Sequence, residues 1–289
     1  MRFAYFPGCT LGSSGYAYDL SFRYVARALG VELMEVRDWT CCGASIAQAT
    51  SSRLSLALPV LNLSRAEKDG IPKLIAPCPA CLSRFKTANH EWERNSDLRS
   101  NIQGALDSPY QGKVKVYHPL EVFTELGLGK IRERVKRKIP GLKIASYYGC
   151  LLTRPPEIAQ FDDVENPKSM DSILQALGAE PIDWSFKTEC CGAAMTLTQP
   201  DMVLRLSNEI LREAKEAGAN MIAVACPLCQ TNLDSRQKQI EQAYHVRYGL
   251  PILFFTQLMG FAFGAFPNEL GIRKLITNPE QVLGSVGLM

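Results

Sequence analysis

The sequence predicts an α/β fold of two pseudo-symmetric, Rossmann-like halves, each a small parallel sheet flanked by helices. Three observations carry this. Short apolar runs alternate with longer stretches of helical spacing, a pattern that places parallel strands beneath helices on both faces. The order of runs occurs twice along 289 residues. All ten cysteines divide into two sets of five in one internal order, displaced from each other by 141 to 149 residues. The halves are assigned as 1–140 and 141–289, the second with a C-terminal tail.

Residues 2–6, 74–77 and 114–117 read as buried strands in the first half. Residues 143–148, 221–225 and 251–255 are their counterparts in the second. Tyr16 to Leu29, Pro200 to Ala217 and Gln230 to Tyr244 carry helical spacing. Gly30, Gly70, Gly178 and Gly218 stand where helices end. Residues 129–143 join the halves and hold seven basic residues against Glu133, which reads as a solvated linker helix. The sharper reading is a basic face that draws in an anionic partner.

Composition narrows the function. A net charge of +3 argues against nucleic acid as a partner. The N-terminus lacks a charged region followed by a long apolar stretch, so no signal peptide is expected. The most apolar segment, Leu250 to Phe266, is shorter than the ~20 residues that span a membrane and reads as strand plus helix. The expected location is cytoplasmic, with no membrane span. That compartment keeps thiols reduced, which argues against disulfides.

The first cysteine set is Cys9, Cys41-Cys42-Gly43 and Cys78-Pro79-Ala80-Cys81. The second is Cys150, Cys190-Cys191-Gly192 and Cys226-Pro227-Leu228-Cys229. Cys9, Cys78, Cys150 and Cys226 each follow an apolar run, at the carboxyl ends of strands where α/β sites collect. Pro79 and Pro227 suit an early helical position, so nearby thiolates gain from a helix N-terminus. Zinc wants four ligands and an ordinary cubane cluster also takes four, so five sulfurs per half exceed both. Keeping the surplus twice favours an iron–sulfur cluster larger than a cubane.

These motifs resemble the cysteine-rich CCG-domain family and, within it, the B-type chains of heterodisulfide reductase. The likeness covers about residues 2–265 and is strongest at Tyr148 to Pro156 and Ala225 to Leu233. The interval before Cys226 is one residue shorter than the family pattern. The resemblance implies two CCG cluster-binding domains and two noncubane 4Fe-4S clusters. Cys9, Cys41, Cys42, Cys78 and Cys81 would hold one, and Cys150, Cys190, Cys191, Cys226 and Cys229 the other. It also implies a small disulfide substrate, a ferredoxin-like C-type partner and a flavin-containing A-type partner in a heterodisulfide reductase-type complex. The activity would be reduction or formation of a disulfide in one-electron steps. His118, after the strand 114–117, is a candidate proton donor to a departing thiolate. Arg154, in a proline-stiffened loop, is a candidate grip on an anionic substrate group or a loop anchor. The alternatives are an electron-transfer CCG protein of a respiratory dehydrogenase and a structural zinc protein.

Overall fold

Four short parallel strands build each sheet of the computed structural model, which describes residues 1–44 and 46–289. The first sheet holds β1 (Arg2–Tyr5), β2 (Glu32–Glu35), β3 (Lys73–Ile75) and β4 (Lys115–Tyr117) in the order β2-β1-β3-β4. The second holds β5 (Lys143–Tyr147), β6 (Glu180–Pro181), β7 (Met221–Val224) and β8 (Ile252–Phe254) in the order β6-β5-β7-β8. The pairings are parallel throughout. The duplication seen in the cysteines therefore extends to the topology.

The expected apolar runs become β1, β3, β4, β5, β7 and β8. The edge strands β2 and β6 escaped the sequence reading because neither has a fully buried residue, so neither shows an apolar run. The expected helix Gln230 to Tyr244 is corrected. The chain forms a helical turn Pro227–Gln230, a π-helical turn Thr231–Ser235 and then a helix Gln237–Tyr244. The widened turn carries two buried polar side chains inward. Asp234 accepts from Gln230 and from the amides of Ile276 and Thr277, while Asn232 donates to the Cys191 carbonyl. The linker's seven basic residues are exposed, as expected of a solvated segment, but the segment is not one helix. Its helix covers only Leu128–Arg134, Ile131 and Ile139 are buried, and the Lys136 and Arg137 amides donate to Ala262 O. Those contacts anchor the basic segment to the second half.

The halves are packed together. The helix Tyr16–Ala28 lies against the helix Phe255–Ala262, with Ser21 Oγ 2.7 Å from Thr256 Oγ1. The Tyr18 ring stacks on Phe254 at 4.4 Å. One continuous apolar core runs through both halves and contains Tyr5, Phe6, Tyr147 and Tyr148. Among the described residues no helix is long and apolar enough to cross a membrane.

Candidate metal centre

In each sheet the chain changes its direction of progress between the two central strands. From β1 it moves outward to β2, and from β3 outward to β4, and the second sheet does the same. The crevice at such a switch point opens at the carboxyl ends of the strands. Cys9 and Cys78 follow β1 and β3, and Cys150 and Cys226 follow β5 and β7. The pairs Cys41-Cys42 and Cys190-Cys191 come from the segments after β2 and β6. Cys78 and Cys226 are the N-cap residues of the helices that Pro79 and Pro227 open, and Cys81 and Cys229 lie in the first turns.

All ten thiols are free. Three in each half are buried, namely Cys42, Cys78 and Cys81, and Cys191, Cys226 and Cys229. Cys9, Cys41 and Cys190 are exposed and Cys150 is half-buried. The buried sulfurs are electrostatic neighbours in succession, from Cys42 to Cys81, Cys78, Cys226, Cys229 and Cys191. The last step measures 3.4 Å between Sγ atoms. The step from Cys78 to Cys226 crosses from one half to the other. At the rim, Cys150 Sγ lies 3.9 Å from Cys190 Sγ, and Cys41 lies near Cys9 and Cys42.

The sulfurs differ in acidity. Hydrogen bonds from Cys226 and Cys81, helped by the first amides of its helix, hold Cys78 well below the ordinary thiol range. Cys81, bonded to Cys42 and Cys78, is pushed well above it. The hydrogen bond from Cys150 draws Cys190 down to about 6. With protein atoms alone, some of these thiols stay protonated, since many buried thiolates without a cation are costly. They could act as ligands together only once a cationic core displaced the protons. Among the described residues, no three His, Cys, Asp or Glu side chains form a group suited to a single ion. Five thiols per crevice are instead a soft donor set of the kind that holds iron and sulfide.

Glycines make room for the sulfurs. Gly8 and Gly149 precede the lone cysteines with φ of +66° and +71°, a region that L side chains rarely adopt. A Cβ on Gly8 would stand 3.3 Å from Cys81 Sγ, and one on Gly149 would stand 3.0 Å from Cys229 Sγ. Gly149→Ala is expected to strain the backbone by about 1–3 kcal/mol and to push Cys229 aside. Iron counting should then show the second quintet empty and the first filled. Full iron content in that variant contradicts the cradle.

His118 is completely buried and caps the helix Pro119–Leu126. Its Nδ1 accepts from the Leu120 amide at 3.2 Å, so Nε2 carries the proton. That N–H faces Pro77 O at 2.9 Å and Ala225 O at 3.1 Å, the carbonyls next to Cys78 and Cys226. Burial lowers the imidazole pKa to about 3, so the ring is neutral. Arg154 is tied to its own loop. Its Nη2 donates to Glu165 at 2.7 Å and to Thr188 Oγ1 at 3.0 Å. The sequence reading passed over Gly8, Gly149, Arg84 and Asn232. The glycines were visible as a Gly-Cys pair in both halves, but their closeness to Cys81 and Cys229 is tertiary.

The sequence profile of the cysteine-rich CCG domain matches residues 3–86 and 144–234, one copy on each crevice. The chain belongs to the cysteine-rich CCG-domain family. It is 31% identical over 282 residues to the 8-methylmenaquinol:fumarate reductase membrane anchor subunit of Wolinella succinogenes, covering 97% of this chain and 99% of that one. It is 26% identical over 280 residues to the B-type chain of the ferredoxin/F420H2-dependent CoB-CoM heterodisulfide reductase of Methanosarcina acetivorans, covering 94% and 93%. A crystal structure of a hypothetical protein from Helicobacter pylori shares the fold, with a TM-score of 0.77 at 12% identity over 96% of this chain and 52% of that one. The CCG chain thus resembles oxidoreductase subunits along nearly its whole length.

Proposed function

We propose that this CCG protein is the catalytic iron–sulfur component of a heterodisulfide reductase-like complex. It would hold two noncubane 4Fe-4S clusters, one per cysteine quintet, and reduce or form a disulfide between two small thiols. The observation that carries this reading is that His118 Nε2 faces both Pro77 O and Ala225 O, the carbonyls before Cys78 and Cys226, which makes the two crevices neighbours. When bound, two such clusters supply one electron each, the number that cleavage of a sulfur–sulfur bond requires. The chain's own residues do the rest. Gly8 and Gly149 leave space for the sulfurs, and the buried thiols exclude water. His118, neutral and occupied on both nitrogens, ties the loops that carry Cys78 and Cys226. Arg154 anchors the loop after Cys150 through Glu165 and Thr188. We assign both residues to positioning, in place of the proton donor and the anion grip. A ferredoxin-like C-type partner and a flavin-containing A-type partner are the proposed electron donors, by likeness to the heterodisulfide reductase chains.

The second reading is an electron-transfer component of a respiratory dehydrogenase. It is favoured by the 31% identity to a fumarate reductase chain over essentially the full length of both proteins. Anaerobic purification with iron and sulfide counting tests what the two readings share. Two four-iron clusters require roughly eight irons per chain, and a colourless, zinc-loaded preparation removes both readings. Addition of a disulfide to the reduced protein then separates them. A thiol-dependent paramagnetic signal is expected for the reductase. Its absence with both clusters intact, together with co-purification of a dicarboxylate flavoprotein, establishes the relay instead.

A further inference from the structure

The two crevices share a topology but not a charge. Arg84 stands three residues after Cys81 on the helix Pro79–Arg94, one turn along the same face. Its counterpart, three residues after Cys229, is Asn232. Asn232 is buried, and its Nδ2 lies 3.1 Å from Cys191 O and 3.6 Å from Cys191 Sγ. The same helix position thus carries a neutral amide against Cys191 in the second half and a guanidinium one turn past Cys81 in the first. Arg84 is half-buried, and its Nε is sealed from solvent without a hydrogen-bond partner among the described residues. No carboxylate pairs with it there. Burial disfavours its charge, and the Cys42 thiolate is the group that offsets that cost. A second difference has the same sign. Glu189 precedes the pair Cys190-Cys191 and acts on Cys190, whereas Thr40 holds that place before Cys41-Cys42.

We propose that Arg84 is a potential-setting residue, which makes the first quintet the more oxidising of two adjoining centres and gives electrons a downhill direction from the second half to the first. The inference rests on the cluster reading above and goes beyond it. A fixed cation beside a cluster favours the more negative, reduced form, and the partly desolvated site screens that attraction little. The neutral Asn232 amide lacks this monopole. Electrons would therefore enter at the second crevice, where the donating partner would dock, and the first crevice would be reduced first.

The test is a spectroscopic redox titration of the purified, iron-loaded chain. Iron is counted first, so that loss of the clusters, which would defeat the cluster reading, is distinguished from failure of this inference. In the unaltered chain two one-electron steps are expected, the higher one belonging to the first quintet. The assignment uses Cys9→Ser and Cys150→Ser, each altering one signal. Arg84→Asn should lower the higher step by at least about tenfold in its reduction equilibrium, which is about 59 mV for one electron. Arg84→Lys, which keeps the charge, should restore most of it. Asn232→Arg should raise the lower step and narrow the gap. Equal potentials in the unaltered chain overturn the proposal. So does an Arg84→Asn variant with full iron and unshifted potentials, or an Arg84→Lys variant that behaves like Arg84→Asn. If Arg84→Asn fails to retain iron, Asn232→Arg and Arg84→Lys decide the matter alone.

Discussion

Cys226→Ser is expected to halve the iron content and to disturb the cluster that remains. Removing a thiolate from the second quintet takes its core away, so roughly four irons of eight should be left. The second effect comes from the closeness of Cys226 to Cys78, which hands a ligand-changing substitution in one half to the sulfur of the other. Cys150→Ser is the control, since Cys150 lies at the rim and its near sulfur is Cys190 of its own half. It should also halve the iron but leave the spectrum of the first cluster as it was. Mössbauer or paramagnetic resonance spectra of the two variants, compared at equal iron content, give the answer. Identical residual spectra contradict a shared boundary between the crevices. Retention of all the iron by both variants contradicts ligation by these cysteines.

Asp171→Leu is expected to cost about 3–5 kcal/mol of stability, because it strands a buried cation. Lys187 is 2% exposed, and its Nζ lies 2.6 Å from Asp171 Oδ2 and 3.2 Å from Pro167 O. The Lys187 carbonyl in turn accepts the amides of Tyr148 and Gly149, the residues that lead β5 into Cys150. The ion pair therefore braces the backbone beneath the second crevice. Denaturant unfolding should show a lowered midpoint with an unchanged slope. A double variant, Lys187→Met with Asp171→Leu, should regain most of the loss, since replacing both partners with apolar groups is often near neutral. A single variant as stable as the unaltered chain shows that the pair does not carry this load.

Much of the architecture was legible because burial leaves a pattern in the residues. Phe3, Tyr5, Leu74, Ile144 and Ile222 are buried, and the runs around them became central strands. β2 and β6 left no such mark, since their side chains are exposed or half-buried and need not be apolar, unlike those of β8, which is an edge strand but buried. The break in the helix after Cys229 was equally hidden. It is held by Asp234 reaching Ile276 and Thr277, over forty residues away along the chain.

The duplication, the parallel α/β order and the two sets of five thiols were legible in the residues alone, because spacing and apolar periodicity are properties of the chain taken locally. The packing of the chain settled that Cys78 lies beside Cys226, that His118 bridges Pro77 and Ala225, that Arg154 turns to Glu165, and that Arg84 Nε is sealed without a partner while Asn232 bonds to Cys191. Those relations join residues from separate strands and separate halves. Their distances follow from how the two sheets pack through one shared core, and no local pattern of residues records that packing.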